Sequence, residues 1–179
     1  MMISRLMGFL YGDGWVYYNE RGEYYEVGFQ QSLKNRDIYE YYKKLVIKLT
    51  VTKYFRERVR RGKIELVIYD NTIYKLLKTV KSNPTEYFRS LSNEEKLMFI
   101  AGFTDADGYI GSTEAAIYDS NRPLLNEICS HLKNLGIKCV VSRNKGIWRL
   151  RIRSKESINI FLNLIPHIKI RPPPPGQTP

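Results

Sequence analysis

The sequence predicts an α+β protein built from two pseudo-symmetric αββαββα half-domains, each with a twisted antiparallel sheet, packed through one helix from each half. Three observations predict it. An apolar phrase ending in Asp-Gly occurs twice, as Leu6-Met7-Gly8-Phe9-Leu10-Tyr11-Gly12-Asp13-Gly14 and as Ile100-Ala101-Gly102-Phe103-Thr104-Asp105-Ala106-Asp107-Gly108. The order of helical and strand-like segments after each phrase is the same. The spacing between matching positions is widest from Asp13 to Asp107, narrower from Asn35 to Asn121 and narrowest from Gly62 to Gly146. Loop deletions in a duplicated second half would produce that trend. The expected halves are 1–88 and 89–170, followed by a Pro-rich tail at 171–179 that is extended or disordered.

Each element has its own warrant. Ile3 to Gly12 reads as a helix stopped at Asp13-Gly14. Trp15–Asn19 and Tyr24–Gln31 read as a hairpin turning at Arg21-Gly22. Asp37–Leu49 places Ile38, Tyr41, Tyr42, Leu45 and Leu49 at helical spacing. Val51–Val59 and Ile64–Tyr69 form a second hairpin around Arg61-Gly62, and Ile73–Val80 a third helix. Ser82-Asn83-Pro84-Thr85 interrupts regular structure, so a linker is expected from there to Asn93. The second half replays this order. Glu94–Ala106 is helical, Tyr109–Tyr118 is a shorter hairpin, and Arg122–Leu135 is a helix capped by Asn121 and stopped by Gly136. Ile137–Arg143 and Ile147–Arg153 form a hairpin around Lys145-Gly146, and Lys155–Leu164 is the last helix.

Bulk composition narrows the function. A net charge of +11 points to a polyanionic partner. The longest apolar runs, such as Leu97–Phe103, fall far short of the roughly 20 residues a spanning helix needs, and no signal peptide is evident. A cytoplasmic protein is expected, or an organellar one in a eukaryote. Cys129 and Cys139 are the two cysteines and read as buried thiols in a reducing compartment. His131 and His167 lie far apart without a Cys-x-x-Cys, which gives no basis for zinc.

The paired aspartates carry the chemistry. A carboxylate at a helix C-terminus meets the negative end of the macrodipole, unfavourable by ~0.3–1 kcal/mol. Two such ends brought together add like-charge repulsion. A helix-ending turn alone would be served better by Asn or Lys; bound Mg²⁺ reverses both penalties. Gly8 and Gly102 allow the two helices to approach closely enough to bring their ends together.

The hairpins supply a basic face. With a period of two, Ile64, Leu66 and Ile68 alternate with Lys63, Glu65 and Val67, and Trp148, Leu150 and Ile152 alternate with Arg149, Arg151 and Arg153. Lys53 to Lys63 holds six basic residues and one acid; Lys138 to Arg153 holds six and none. Lysine and arginine also protect edge strands, but three alternating arginines without acids suit a duplex major groove better. The expected contacts in the first half are Tyr17, Asn19, Gln30, Tyr54, Arg56, Arg58, Arg60 and Lys63. In the second half they are Arg143, Lys145, Arg149, Arg151 and Arg153.

The phrase Ala101–Gly108 resembles the LAGLIDADG motif, and Leu6–Gly14 resembles its partner copy with Tyr11 where the consensus has aspartate. From Ile3 to about Ile168 the chain is similar to single-chain, two-repeat LAGLIDADG homing endonucleases of the compact type encoded in archaeal introns. That resemblance implies Mg²⁺-dependent double-strand cleavage of a long DNA site, leaving short 3′ overhangs, by a monomer with pseudo-twofold symmetry; Mn²⁺ or Ca²⁺ can substitute in binding. It makes Asp13 and Asp107 the catalytic acids and metal ligands, with the carbonyls of Gly12 and Ala106 as further metal contacts. Tyr11 and Asp105 would not share that role. Gln31 and Lys155 match the catalytic positions expected around the solvent pocket, while Asn71 stands where a first-half lysine is expected. Two other activities of this fold compete: an RNA maturase acting on intron RNA, and a DNA-binding regulator without catalysis.

Overall fold

The structure, a computed structural model, describes residues 1–51 and 54–168; the expected tail at 171–179 lies outside them. The first half runs α1 (Met2–Asp13), β1 (Gly14–Asn19), β2 (Tyr24–Ser32), a 3₁₀ turn (Leu33–Asn35), α2 (Arg36–Leu49), β3 (Phe55–Arg60), β4 (Lys63–Ile68) and α3 (Asn71–Ser82). After α4 (Pro84–Ser90), the second half runs α5 (Asn93–Asp107), β5 (Gly108–Ile110), β6 (Ala115–Asp119), α6 (Arg122–Asn134), β7 (Val140–Asn144), β8 (Ile147–Ile152) and α7 (Lys155–Leu164). Two four-stranded antiparallel sheets result, ordered β1-β2-β4-β3 and β5-β6-β8-β7. The α+β fold with one sheet per repeat is therefore as the duplicated phrase predicts.

The repeated helices α1 and α5 form the centre. A Cβ added at Gly8 would overlap the carbonyl of Phe99, and one at Gly102 would overlap the carbonyl of Arg5. These two contacts are related by the internal duplication, and both are backbone to backbone, so neither can be relieved by a rotamer change. Phe9, Phe99 and Phe103 are fully buried, and Phe9 stacks on Tyr42 of α2 with ring centroids 3.7 Å apart. Gly102→Val is expected to destabilise the fold by at least ~3 kcal/mol through overpacking and helix separation, read as a fall in the urea midpoint. Stability within ~0.5 kcal/mol of wild type would contradict this packing.

Four local expectations are corrected. First, the glycines after the motif acids do not stop their helices by a left-handed turn: Gly14 has φ −94° and Gly108 φ −88°. A side chain there would instead strike the preceding turn, at Leu10 and at Thr104. The chain can thus pass straight from helix into strand. Second, the expected linker contains α4, with Pro84 at its first position, where a missing N–H costs nothing.

Third, Ile137–Cys139 precedes the strand β7. The chain reverses at Gly136 (φ +82°), with Gly136 N–H donating to the Lys133 carbonyl and Ile137 N–H to that of Leu132. Fourth, this reversal brings Cys139 beside Cys129, Cα–Cα 5.9 Å, and the two buried cysteines form a disulfide rather than free thiols.

His131 on α6 is nine-tenths buried, and its Nε2 has no hydrogen-bond partner. Burial first, and then the charge of Lys96, hold its pKa below the ordinary 6.5. The folded chain therefore resists a proton that the unfolded chain accepts, so this group subtracts stability as pH falls below about 6.5. Wild type should lose more stability between pH 7 and pH 5 than His131→Phe, by urea titration; equal losses would refute it.

Candidate active site and nucleic-acid interface

Both motif acids emerge where a repeated helix becomes a strand. Asp13 ends α1 and Asp107 ends α5, and each is half-buried. Two cavities open at these ends. One, of about 380 Å³, is lined by Asp13, Gln30, Gln31, Ser32, Asn35, Lys63, Gly12 and Ala106. The other, of about 420 Å³, is lined by Asp107, Tyr118, Asp119, Ser120, Ile147, Lys81, Tyr11 and Gly12. Each therefore combines the acid of one repeat with the residue that precedes the acid in the other, Ala106 in the first and Gly12 in the second. The absence of a side chain at Gly12 is required: a Cβ would run into the Asp107 carboxylate and the Ala106 methyl.

Gln31 lies on the helix-facing side of β2, in register with Ile64, and is buried. Its amide nitrogen donates to Asp13 Oδ2, and its oxygen lies 3.5 Å from Asn35 Nδ2. The second half places a carboxylate at the matching position. Gly14 pairs with Phe29 and Gly108 with Ile117, so two residues further along each strand stand Gln31 and Asp119. Asp119 accepts from Tyr11 Oη at 3.3 Å and from the backbone N–H of Asn121. Burial raises its pKa above the usual carboxylate range, against those two donors and the charge of Lys81. The Tyr11 hydroxyl is pushed well above its ordinary value by burial and by Asp119.

Lys155 lies exposed at the first position of α7 and lines neither acidic cavity. Each cavity is lined by a different lysine: Lys63 of β4 at the Asp13 cavity, and Lys81, at the end of α3, at the Asp107 cavity. Lys81 Nζ donates to the Tyr11 carbonyl at 2.7 Å, so a positive charge meets the negative end of α1. Burial lowers its pKa, and the fields of Asp107, Asp119 and Asp13 oppose that shift. Sequence reading missed Lys81 and Asp119. The equivalence of Asp119 with Gln31 rests on strand register, since the Asn35–Asn121 match of the sequence would set Ile117 there instead.

Tyr11 and Asp105 occupy equivalent helix positions, and each reaches across to the opposite half. Tyr11 bonds Asp119 on β6. Asp105, 1% exposed, accepts from Arg5 Nη2 at 3.1 Å, Tyr42 Oη at 2.6 Å and Ile168 N at 2.6 Å. The Arg5 guanidinium also lies 4.5 Å over the ring of Tyr41. Asp105 is thus committed to an interior ion pair.

The strand register sorts the basic residues. On the first sheet Arg56, Arg58 and Arg60 align with Val67, Glu65 and Lys63, and Gln30 aligns with Glu65, all on the face away from the helices. Tyr17 shares that face and is exposed, and Tyr54 is exposed just ahead of β3. Arg58 pairs with Glu65 at 2.6 Å. Asn19 also shares the face, but its side chain closes the turn, donating to Tyr24 Oη and accepting from Gly22 N–H, each at 2.9 Å.

On the second sheet Arg149 and Arg151 align with Tyr118 and Ala116 on the outward face, and Lys145 occupies the β7–β8 turn with φ +49°. Arg143 aligns with Trp148, on the opposite, helix-facing side. Its place on the DNA face is corrected accordingly: position 143 falls one residue out of phase with the arginines of β8. The expectation that those arginines lack acids also fails. Glu114, in the β5–β6 turn, pairs with Arg149 at 3.5 Å, Arg151 at 3.8 Å and Arg153 at 3.3 Å.

The donor set suits a hard divalent cation. Among the described residues no group of three or more His, Cys, Asp or Glu side chains could enclose a metal. One motif carboxylate in the first cavity, and two carboxylates in the second, leave coordination positions for water and phosphate, as Mg²⁺ prefers. Among the described residues no helix is long and apolar enough to cross a membrane.

Known proteins are similar to this chain in sequence and in fold. Residues 94–166 match the LAGLIDADG-like domain family. An uncharacterised protein of Methanocaldococcus jannaschii, MJ0398, is 25% identical over 89% of this chain, which spans 64% of that relative's length. The homing endonuclease I-DmoI in complex with DNA and Ca superposes with TM-score 0.76 at 23% identity, covering 97% of this chain and 93% of that one. I-DmoI with DNA and Mn gives 0.74 at 22% identity, covering 94% and 98%.

Proposed function

From a chain whose residues 94–166 match the LAGLIDADG-like domain family, and whose described residues take the single-chain, two-repeat LAGLIDADG homing endonuclease fold, we propose a monomeric, sequence-specific endodeoxyribonuclease. It makes double-strand breaks at a long site in an intron-homing reaction, requires Mg²⁺ and leaves short 3′ overhangs. The observation that carries this reading is the pair of cavities in which each motif acid meets the residue before its counterpart. Two such centres beside two basic sheets suit the two strands of one duplex. The two halves, 1–88 and 89–170, would each read half of the site.

In this reading Asp13, Asp107 and the carbonyls of Gly12 and Ala106 hold the cation. When bound, it supplies activation of water and neutralises charge developing on the leaving 3′ oxygen. Gln31 fixes the rotamer of Asp13 by donating to one of its oxygens. Lys81 adds a positive charge on the Asp107 side, where Asp119 replaces the amide. The outward residues Tyr17, Gln30, Tyr54, Arg56, Arg58, Arg60 and Lys63, with Lys145, Arg149, Arg151 and Arg153, grip phosphates and base edges. Lys155, away from both cavities, has no catalytic part in this reading.

The test is cleavage of a randomised duplex library, with Mg²⁺ and with EDTA, followed by end sequencing. One long motif cut only with Mg²⁺ is the expected result. Salt-sensitive binding without cutting would favour a DNA-binding regulator instead. A narrower prediction concerns Lys81, which lines the Asp107 cavity alone, the Asp13 cavity being lined by Lys63 instead. On a strand-labelled duplex, Lys81→Met should slow one strand at least ~10-fold more than the other, the scale of one transition-state charge contact, so nicked product accumulates. Equal slowing of both strands would contradict it.

A further inference from the structure

We propose that Glu114 is a specificity-determining positioning residue. Its carboxylate restrains Arg149 and Arg151 of β8, and Arg153 just beyond it, from indiscriminate phosphate binding, so that DNA binds tightly only where its own groups replace that carboxylate. This inference rests on the DNA-cleavage reading.

A single, largely buried carboxylate lies 3.3–3.8 Å from three guanidinium groups. The backbone locks its position, because Gly111 N–H donates to the Glu114 carbonyl at 2.9 Å and so closes the β5–β6 turn. A guanidinium carries five donors, and one carboxylate cannot satisfy three of them. Arg149 Nε is buried with no partner. The fan therefore keeps unfilled donors and a net positive charge while its members are held in fixed positions.

The first half is built the other way round. Matching Gly62 to Gly146 sets Glu65 and Val67 at the positions of Arg149 and Arg151. The same match sets Arg56, Arg58 and Arg60 opposite the neutral Val140, Ser142 and Asn144. Positive charge thus sits exposed at Arg56 and Arg60 on the edge strand β3 of the first sheet, where Arg58 alone of the three is paired, with Glu65. In the second sheet it sits on the inner strand β8, under an acid contributed by a distant turn. Exposed edge arginines attract any duplex. Arginines bound to a carboxylate engage only when an acceptor of suitable geometry displaces it, and a guanine edge offers one in the major groove. An acid that must be displaced weakens every wrong sequence more than the right one.

The experiment compares wild type, Glu114→Gln and Glu114→Asp. Each is titrated onto a non-target duplex and onto the duplex recovered from the cleavage library, over a range of salt. Glu114→Gln should bind the non-target duplex about 3–10-fold tighter at low salt, with a salt slope steeper by about one counterion. Its target-over-non-target ratio should fall about tenfold. Glu114→Asp, which keeps the charge, should restore the slope. An unchanged slope and ratio in Glu114→Gln would overturn the role of Glu114 while leaving the nuclease reading in place. Wild type that shows no salt-dependent duplex binding would overturn both.

Discussion

Asp107→Asn is expected to abolish double-strand cutting, lowering the rate by at least ~10³-fold, while DNA affinity stays equal to wild type or rises. The asymmetry between the two readouts follows from charge. Asn keeps the size and hydrogen bonding of Asp at a helix end but removes the anion that would hold the cation. The same substitution removes a negative charge facing a phosphate backbone, which favours binding. It also relieves a clash with the macrodipole at the end of α5, so the folded protein should be at least as stable as wild type. Wild-type-like cutting by this variant would remove Asp107 from the machinery. Loss of both cutting and binding would indicate a structural role instead.

Arg5→Leu is expected to cost about 3–5 kcal/mol, because it removes the guanidinium that faces the fully enclosed carboxylate of Asp105. That carboxylate would retain Tyr42 Oη and the N–H of Ile168 as donors, but neither carries charge. The double variant Arg5→Leu/Asp105→Leu should regain most of the loss, since two apolar side chains replace an ion pair that pays for its own desolvation poorly. The readout is the urea midpoint of the two single variants and the double. Single and double variants equally unstable would mean that the pair contributes more than mutual charge compensation. The result also bears on function, because Arg5 and Asp105 bridge the two repeated helices that end at Asp13 and Asp107.

Much of this architecture was legible in the sequence, for identifiable reasons. Duplication announces itself as a repeated string, so the two sheets, the two packed helices and the placement of Asp13 and Asp107 follow without any knowledge of tertiary contacts. Strand alternation has a fixed period, which put Arg56, Arg58 and Arg60 on one face and Arg149 and Arg151 on another. Arg143 was misplaced because the register of β7 against β8 depends on where the Lys145-Gly146 turn falls. The segment at Pro84 read as a break because proline both ends helices and begins them. Only the following Tyr87 and Phe88, with Glu86 in the first turn, favoured the second outcome.

Long-range partnerships left no local trace. Glu114 is far in sequence from the arginines it holds. Lys81 enters the Asp107 cavity only because α3 of the first half ends beside the second. Cys139 meets Cys129 because Gly136 reverses the chain, a geometry that the residue spacing alone does not state. The acidic cavities themselves are shared between repeats, so neither half read separately would reveal them.

Anomalous scattering from crystals of the protein soaked in Mn²⁺ would locate the bound cations themselves. A cation is expected in each acidic cavity, one held by Asp13 with the Ala106 carbonyl and one by Asp107 with the Gly12 carbonyl, with loss of the second in Asp107→Asn. Cations bound away from both aspartates, or retained at full occupancy in Asp107→Asn, would contradict that placement.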